Sequence, residues 1–207
     1  TLVPTSRNMK PYDQILVAVD TCGRGMDELA AVVLAVGGGR VFILDSFYQK
    51  QGHDESAFRG IIELARRNGA NNVVLERNYG GGLYSELLVK YIQETDADIG
   101  VDDIVSKGKK SIRIIETVEP FLTSGKLVAD YNWFMRELQN VQHNMWQQAA
   151  SISHEDIMSR FDDRIDALAI GLAYLKSILA ISEEQALKEY NDELWEHELE
   201  NVIESHT

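Results

Sequence analysis

Short apolar runs separated by glycine-rich or polar turns occupy the first half of the chain and predict β-strands. The first run is Gln14–Asp20, with the sequence QILVAVD, and two more follow at 30–36 and 40–47. Three consecutive glycines at 37–39 join these two runs, which is typical of a hairpin turn. Shorter apolar runs predict three further strands, at 72–76, 99–104 and 126–129.

Apolar residues at helical spacing predict five helices. These are expected at 53–68, 83–93, 111–122, 132–150 and 162–181. Pro120 lies inside the third of them, and a proline removes one backbone donor and crowds the preceding turn. We therefore expect that helix to end or kink near Val118.

The order of these elements predicts an α/β fold with a ribonuclease-H-like mixed sheet. Three antiparallel strands come first, alternating helices and strands follow, and helices flank the sheet, whereas a doubly wound sheet would begin strand–helix–strand. We expect residues 1–12 to be a linker remnant, 13–181 to form this domain, and 182–207 to form an acidic C-terminal helix or tail. The chain begins with Thr1 rather than methionine, which favours a fragment of a longer protein.

Composition narrows the class of protein further. The 207 residues carry 20 basic and 33 acidic side chains and a net charge of −13, which argues against a protein that coats DNA through a dispersed basic surface. The single cysteine excludes an internal disulfide and a multi-cysteine zinc site. No apolar run approaches the ~20 residues needed to span a bilayer, so we expect a reduced, cytosolic protein without membrane contact.

Five acidic residues from three distant segments lie at the ends of apolar elements. Two end strands and three open the last helix, namely Asp20, Glu76, Asp162, Asp163 and Asp166. Sites in α/β sheets gather at the carboxyl ends of strands, so such acids converge. Converging carboxylates repel one another unless a cation separates them, and oxygen-only ligands favour Mg²⁺ or Mn²⁺. Two such ions about 3.5–4 Å apart activate water and stabilise the leaving oxygen of a phosphodiester.

Each acid alone also has an ordinary structural explanation. Asp20 is typical of a turn-forming residue, Glu76 has arginines nearby as partners, and Asp162 or Asp163 is a suitable helix N-cap. None of these explains Asp166, which falls on the same helix face as Asp163 beside apolar residues. The combination therefore indicates a metal site more strongly than any single residue.

Four sequence motifs resemble those of a known family, and the resemblance covers most of the chain, from residue 14 to about 175. They are DTCGRGMDE at 20–28, VVLERNYGGG at 73–82, Lys-x-x-Arg-Ile followed by Glu-Pro within 110–120, and DDRIDALA at 162–169. In order and spacing they resemble the nuclease domain of the large terminase subunit of tailed bacteriophages, especially the podovirus type. Thr21 stands where many members have proline, which we expect to alter the turn and not the ligands.

The resemblance implies a two-metal endonuclease that cuts concatemeric double-stranded viral DNA when genome packaging begins and ends. It implies that Asp20, Glu76 and Asp163 are catalytic, that Asp20 bridges both ions, and that Asp162 shares the metals. Asp166, placed as in resolvases of the same fold, is expected to be an outer or second-metal ligand. The implied partners are the terminase ATPase domain, the capsid portal and the small terminase subunit. This sequence contains no phosphate-binding loop motif, so we expect the ATPase domain to lie outside it. The implied location is the cytoplasm of the infected bacterium, at the procapsid portal.

Basic residues near the loops that should border the acids are candidates for contacts with DNA phosphates. They are Arg24, Arg77, Lys107, Lys109, Lys110 and Arg113. A solvated loop that offsets an acidic surface explains them equally well. Two other functions stay open: a Holliday-junction resolvase or another ribonuclease-H-like nuclease, and a catalytically silent module that docks on the portal.

Overall fold

The computed structural model describes residues 3–5, 12–21, 28–50, 54–77, 82–105, 108–140, 144–152 and 162–177. The strands are β1 Val3–Thr5, β2 Gln14–Asp20, β3 Glu28–Gly37, β4 Arg40–Lys50, β5 Asn72–Glu76, β6 Gly100–Ile104 and β7 Leu127–Asp130. The helices are α1 Glu55–Asn68, α2 Leu83–Glu94, α3 Lys110–Thr123, α4 Tyr131–Gln139, α5 Met145–Ser151 and α6, residues 163–177. None of the helices within these ranges combines the length and apolarity that a membrane crossing requires.

One mixed sheet contains all seven strands in the order β1-β7-β4-β3-β2-β5-β6. β2, β3 and β4 form the predicted antiparallel meander, and β5 and β6 add in parallel beside β2. β7 pairs in parallel with β4, and β1 pairs in parallel with β7 at the edge. The β3–β4 turn places Gly38 and Gly39 at φ +57° and +72°, a conformation that favours glycine and suits a two-residue hairpin.

The two faces of the sheet bury different helices because successive strand residues point in opposite directions. Val17 and Val19 of β2 face a core formed with α1 and α2, which also contains Phe58 and Ile61. Ala18 and Leu34 are fully buried outside that core. They lie so close to Gly171 of α6 that a Cβ at this glycine would be 2.5 Å from Leu34 Cδ1. A helix with glycine at this point therefore approaches the sheet more closely than any other residue would allow.

The chain divides into a compact unit of residues Thr1–Leu172, which holds the sheet, and a second unit of Ala173–Thr207. Within the second unit the structure describes residues 173–177, the end of α6. The predicted acidic tail at 182–207 lies outside the described residues.

Three predictions of secondary structure differ from the structure. Pro120 does not end α3, which continues for about one more turn to Thr123, where the hydroxyls of Thr123 and Ser124 donate to the Glu119 and Pro120 carbonyls. The helix predicted over 132–150 is two helices, since Asn144 caps α5 by accepting from the Gln147 amide. The opening residues, expected to be linker, contribute β1.

Candidate metal centre

The register of β2 and β5 brings two of the predicted acids together. Val19 pairs with Leu75 in the parallel ladder, so the next residues, Asp20 and Glu76, are neighbours at the carboxyl ends of adjacent strands. Val19 and Leu75 point into the core formed with α1, and successive strand residues point to opposite faces. Asp20 and Glu76 therefore lie on the face opposite α1. Their side chains are buried, and neither acid lies on a solvated surface.

The start of α6 brings the remaining predicted acids to the same place. Asp162 immediately precedes the helix, and its carbonyl accepts the Asp166 amide at 2.9 Å, as an N-cap carbonyl does. Asp166 is 1% exposed. One carboxylate oxygen from each of Asp20, Glu76 and Asp166 lies within 4.8 Å of the others. We call these three residues the carboxylate triad.

Two cations from α3 lie among these carboxylates. Lys110 Nζ is 3.3 Å from Asp20 Oδ2, 3.1 Å from Asp162 Oδ1 and 3.1 Å from Asp166 Oδ2. Arg113 donates to both oxygens of Glu76 and, through NH2, to Asp166 Oδ1 at 2.8 Å. Lys110 and Arg113 are three residues apart and therefore share a face of α3.

Burial and mutual repulsion shift the pKa values in this centre. Burial raises the pKa of Asp20 well above its usual range, Lys110 partly lowers it, and the negative charges of Asp166 and Asp163 raise it further. Burial alone would lower the pKa of Lys110, but Asp20, Asp166 and Asp162 together raise it above the ordinary value. The negative charge of the centre thus stabilises a bound cation. Without a cation beside it, the ionised form of Asp20 is unfavourable.

Asp163 has different partners from those of the triad. Its Oδ2 accepts the backbone amide of Glu28 at 3.1 Å, which ties the start of β3 to α6. Arg164 completes this connection from the next position, with Nε 3.0 Å from Glu28 Oε2 and NH1 3.3 Å from Glu137 Oε1. The Arg164 guanidinium also lies 3.7 Å above the Tyr48 ring. Sequence reasoning did not identify this network; the only signal was a lone arginine inside a run of acids and apolar residues.

The predicted DNA-contacting residues have several locations. Lys110 and Arg113, expected near bordering loops, lie instead inside the acidic centre and contact its carboxylates. Lys109 is exposed at the N-cap of α3, and Arg77 directly follows Glu76 at the end of β5. Arg24 and Lys107 lie outside the described residues.

The donor set of the triad suits a hard divalent cation. It consists of three buried carboxylates from three elements, and carboxylate oxygens are the ligands that Mg²⁺ and Mn²⁺ accept most readily. Asp20 and Glu76 are held by strands and Asp166 by a helix, so the ligands are positioned by rigid elements. Asp162 and Asp163 lie at the border of the same group.

Comparison with known sequences points to one family. The model of the family described as Terminase Bacteriophage T7, Ribonuclease H-like domain, matches residues 19–127. The large terminase subunit of Enterobacteria phage T3 is 24% identical over 209 residues, which cover 97% of this chain and 36% of that protein. This chain thus spans about a third of the length of that relative.

Comparison with solved structures agrees at the level of the fold. The human cytomegalovirus terminase nuclease domain, soaked with Mn and bound to an inhibitor, superposes with a TM-score of 0.58 at 14% identity, covering 84% of this chain and 89% of that one. The large terminase of a thermophilic bacteriophage, in complex with ATP-gamma-S, gives a TM-score of 0.51 at 14% identity, covering 83% of this chain and 42% of that one. The predicted ribonuclease-H-like α/β fold is confirmed.

Proposed function

This chain belongs to the family of ribonuclease-H-like domains of bacteriophage T7 terminase, and from that premise we propose that it is a metal-dependent endonuclease domain that cuts double-stranded DNA. The observation that carries the proposal is the carboxylate triad, in which Asp20, Glu76 and Asp166 turn buried oxygens toward one another within 4.8 Å. Lys110 and Arg113 offset only part of the repulsion among these buried carboxylates, so structural ion pairs alone do not account for the arrangement. A site for a cation does account for it.

The proposed cofactor is Mg²⁺ or Mn²⁺, bound as two ions. Asp20, Glu76 and Asp166 would hold the metal through their carboxylate oxygens. Asp162, which contacts Lys110, and Asp163, which accepts the Glu28 amide, would act from the border of the site. When bound, the ions would supply Lewis-acid chemistry that activates water and stabilises the leaving oxygen of a phosphodiester.

The remaining residues of the site would hold the ligands and the DNA. Arg113 fixes the orientation of Glu76 and Asp166 through paired hydrogen bonds, which limits the rotation of both carboxylates. Lys109 and Arg77 lie next in sequence to Lys110 and Glu76 and are the proposed phosphate contacts. Such contacts would position a duplex without reading its sequence.

The biological role that we propose is cleavage of concatemeric viral DNA at the start and end of packaging. It is supported by the relationship to the large terminase of phage T3. By the same relationship, the proposed partners are the terminase ATPase domain, the small terminase subunit and the capsid portal, in the cytoplasm of the infected bacterium.

Plasmid cleavage tests the proposal directly. We expect the chain to nick and then linearise supercoiled plasmid with Mn²⁺ or Mg²⁺, and to stop in chelator. Asp20→Asn and Asp166→Asn should each lower the rate by orders of magnitude, whereas Asp162→Asn should cost about 10–100-fold, as expected for a group that acts through others.

The matched control is Glu63→Gln, at an exposed position of α1, which should cleave like the wild type. Cutting that persists in excess chelator would contradict the proposal, as would a triad variant that cleaves normally. A four-way junction and an RNA–DNA hybrid serve as comparison substrates, and a strong preference for either over plain duplex would assign the domain to another nuclease class.

A further inference from the structure

Lys110 makes a set of contacts unusual for a lysine. Its ammonium lies 3.1–3.3 Å from one oxygen of each of three carboxylates, those of Asp20, Asp162 and Asp166. An ammonium has three N–H donors, so the number of donors equals the number of carboxylates around it. Two of these partners, Asp20 and Asp166, are also members of the carboxylate triad. The ammonium and a metal ion therefore share ligands.

The balance of charges in the centre also indicates that the Lys110 ammonium competes with a metal ion. The three partners of Lys110 together with Glu76 provide four carboxylates, and Lys110 and Arg113 provide two cations. The carboxylates exceed the cations by two charges, which is the charge of one divalent ion. A second divalent ion would make the centre positive by two charges, and the departure of one cation would halve that excess. Asp163 adds a fifth negative charge, but it is already hydrogen-bonded to the Glu28 amide.

Lys110 is the cation better suited to leave. Arg113 holds Glu76 and Asp166 by paired hydrogen bonds from a planar guanidinium, a rigid geometry. Lys110 carries a point charge on a flexible four-carbon stem, and its side chain is 28% exposed while that of Asp166 is 1% exposed. Its ammonium can therefore move outward to solvent or to a DNA phosphate without disturbing the backbone of α3.

We propose that Lys110 is a built-in counter-cation that competes with the divalent metal for Asp20 and Asp166. While its ammonium stays, the centre holds one ion, and a second ion enters only when the ammonium withdraws. In the metal-free protein the same ammonium stabilises the crowded carboxylates. This role rests on the metal centre proposed above, and it assigns Lys110 to the occupancy of that centre.

The test compares Lys110→Met, Lys110→Arg and wild-type chains by calorimetric Mn²⁺ titration and by melting in chelator. Lys110→Met removes the charge at similar length, so it should bind Mn²⁺ at least about tenfold more tightly, with stoichiometry rising from one ion to two, and melt at a lower temperature without metal. Lys110→Arg should restore both wild-type values, because the effect follows charge. Lys126→Met, an exposed lysine just beyond the other end of α3, should change neither.

Unchanged Mn²⁺ affinity and stoichiometry in Lys110→Met would overturn the role of Lys110. If that variant fails to fold, Lys110→Met combined with Asp162→Asn restores the charge balance, and it should still bind Mn²⁺ more tightly than Asp162→Asn alone; equal affinity would again overturn the role. Absence of Mn²⁺ binding in the wild type and in Lys110→Met alike would instead contradict the proposed metal centre itself.

Discussion

At the scale of single residues, the buried carboxylates that would bind metal also reduce the stability of the metal-free protein. Asp20 is buried beside other acids, and its pKa is raised well above the usual range, first by burial and then by Asp166 and Asp163. The raised pKa means that the folded protein binds a proton more tightly at Asp20 than the unfolded chain does. The resulting stability is present below the pKa of the unfolded chain, and it is lost as pH rises through the folded pKa.

We therefore expect Asp20→Asn to be more stable than the wild type in chelator at neutral pH, although we also expect it to lose cleavage. The amide cannot ionise, so the difference in melting temperature should grow as pH rises from about 4, the ordinary carboxyl pKa, to about 8. Melting curves of both proteins across this range provide the measurement. A constant difference at all pH values would show that Asp20 does not titrate with a raised pKa.

Residue identity singled out the acids, of which the structure brings Asp20, Glu76 and Asp166 together, but it named Lys110 and Arg113 only as candidate contacts to DNA phosphates. Asp20 and Glu76 could be identified because a carboxylate at the end of an apolar strand is unusual. Lys110 and Arg113 carried no such signal: their helix is amphipathic, and only the packing of α3 in three dimensions shows which way these side chains point. For the same reason, sequence could not distinguish Asp166, now within the triad, from Asp163, which contacts the Glu28 amide.

At the scale of elements, the position of α6 relative to the sheet determines where its acids lie. Gly171 permits the close approach, since a Cβ there would be 2.5 Å from Leu34 Cδ1 and 2.8 Å from Ala18 Cβ. Arg164 and Asp163 tie the start of the same helix to β3 through Glu28. Three residues of one helix thus hold Asp166 against β2 and β5.

Gly171→Ala should destabilise the protein by about 1–3 kcal/mol through overpacking and should lower nuclease activity as the helix moves outward. Gly39→Ala is the comparison, because a methyl group at Gly39 would meet nothing within 4 Å and only the φ of +72° opposes the change; it should cost about 1–2 kcal/mol and leave activity intact. Thermal melting and plasmid nicking measure the two effects. Full activity in Gly171→Ala would show that the contact does not position the acids.

Arg164→Met should destabilise the protein by about 3–5 kcal/mol, because it leaves the buried Glu137 carboxylate without its cation. Adding Glu28→Gln and Glu137→Gln should recover part of the loss, since no uncompensated charge then remains. The exposed pair Arg59–Glu55 on α1 offers a control, and Arg59→Met should melt like the wild type. Chemical denaturation measures all four proteins, and a mild effect of Arg164→Met would place the guanidinium in solvent.

Secondary structure was predictable wherever periodicity was strong, and the errors have local physical causes. The strand at Asn72–Glu76 was predicted to the residue, and the helix ending at Asn68 was predicted at its C-terminal end, where Gly69 caps it at φ +68°. The division of 132–150 into α4 and α5 depends on a hydrogen bond between Glu137 and the Met145 amide, a contact that no window of sequence displays. β1 exists because β7 offers an edge.

At the scale of the whole molecule, net charge opposes the proposed substrate. The chain carries −13, so a duplex must approach against overall repulsion and be held by a few cations near the centre. The isolated chain should accordingly bind duplex weakly, and more weakly as salt rises, because phosphate contacts release counterions.

Lys109→Glu should lower cleavage at moderate salt and leave Mn²⁺ affinity unchanged, because Lys109 lies beside the centre and not within the triad. Lys90→Glu on α2 makes the same change of charge at another exposed position and should have little effect. Cleavage rates at a series of salt concentrations, with Mn²⁺ titrations in parallel, separate binding of DNA from binding of metal. Equal losses in both variants would indicate general repulsion rather than a DNA path along Lys109.

The positions of the charged groups along the chain have a consequence for synthesis. Chains emerge from the ribosome N-terminus first, so Asp20 and Glu76 can pair through β2 and β5 before Lys110 and Arg113 arrive. The acids that open α6 arrive after both cations. The growing chain therefore never has to gather all its acids without a counter-charge, and the centre is completed only when α6 has been made. A nascent chain that ends before α6 would lack Asp166 and therefore the complete carboxylate triad.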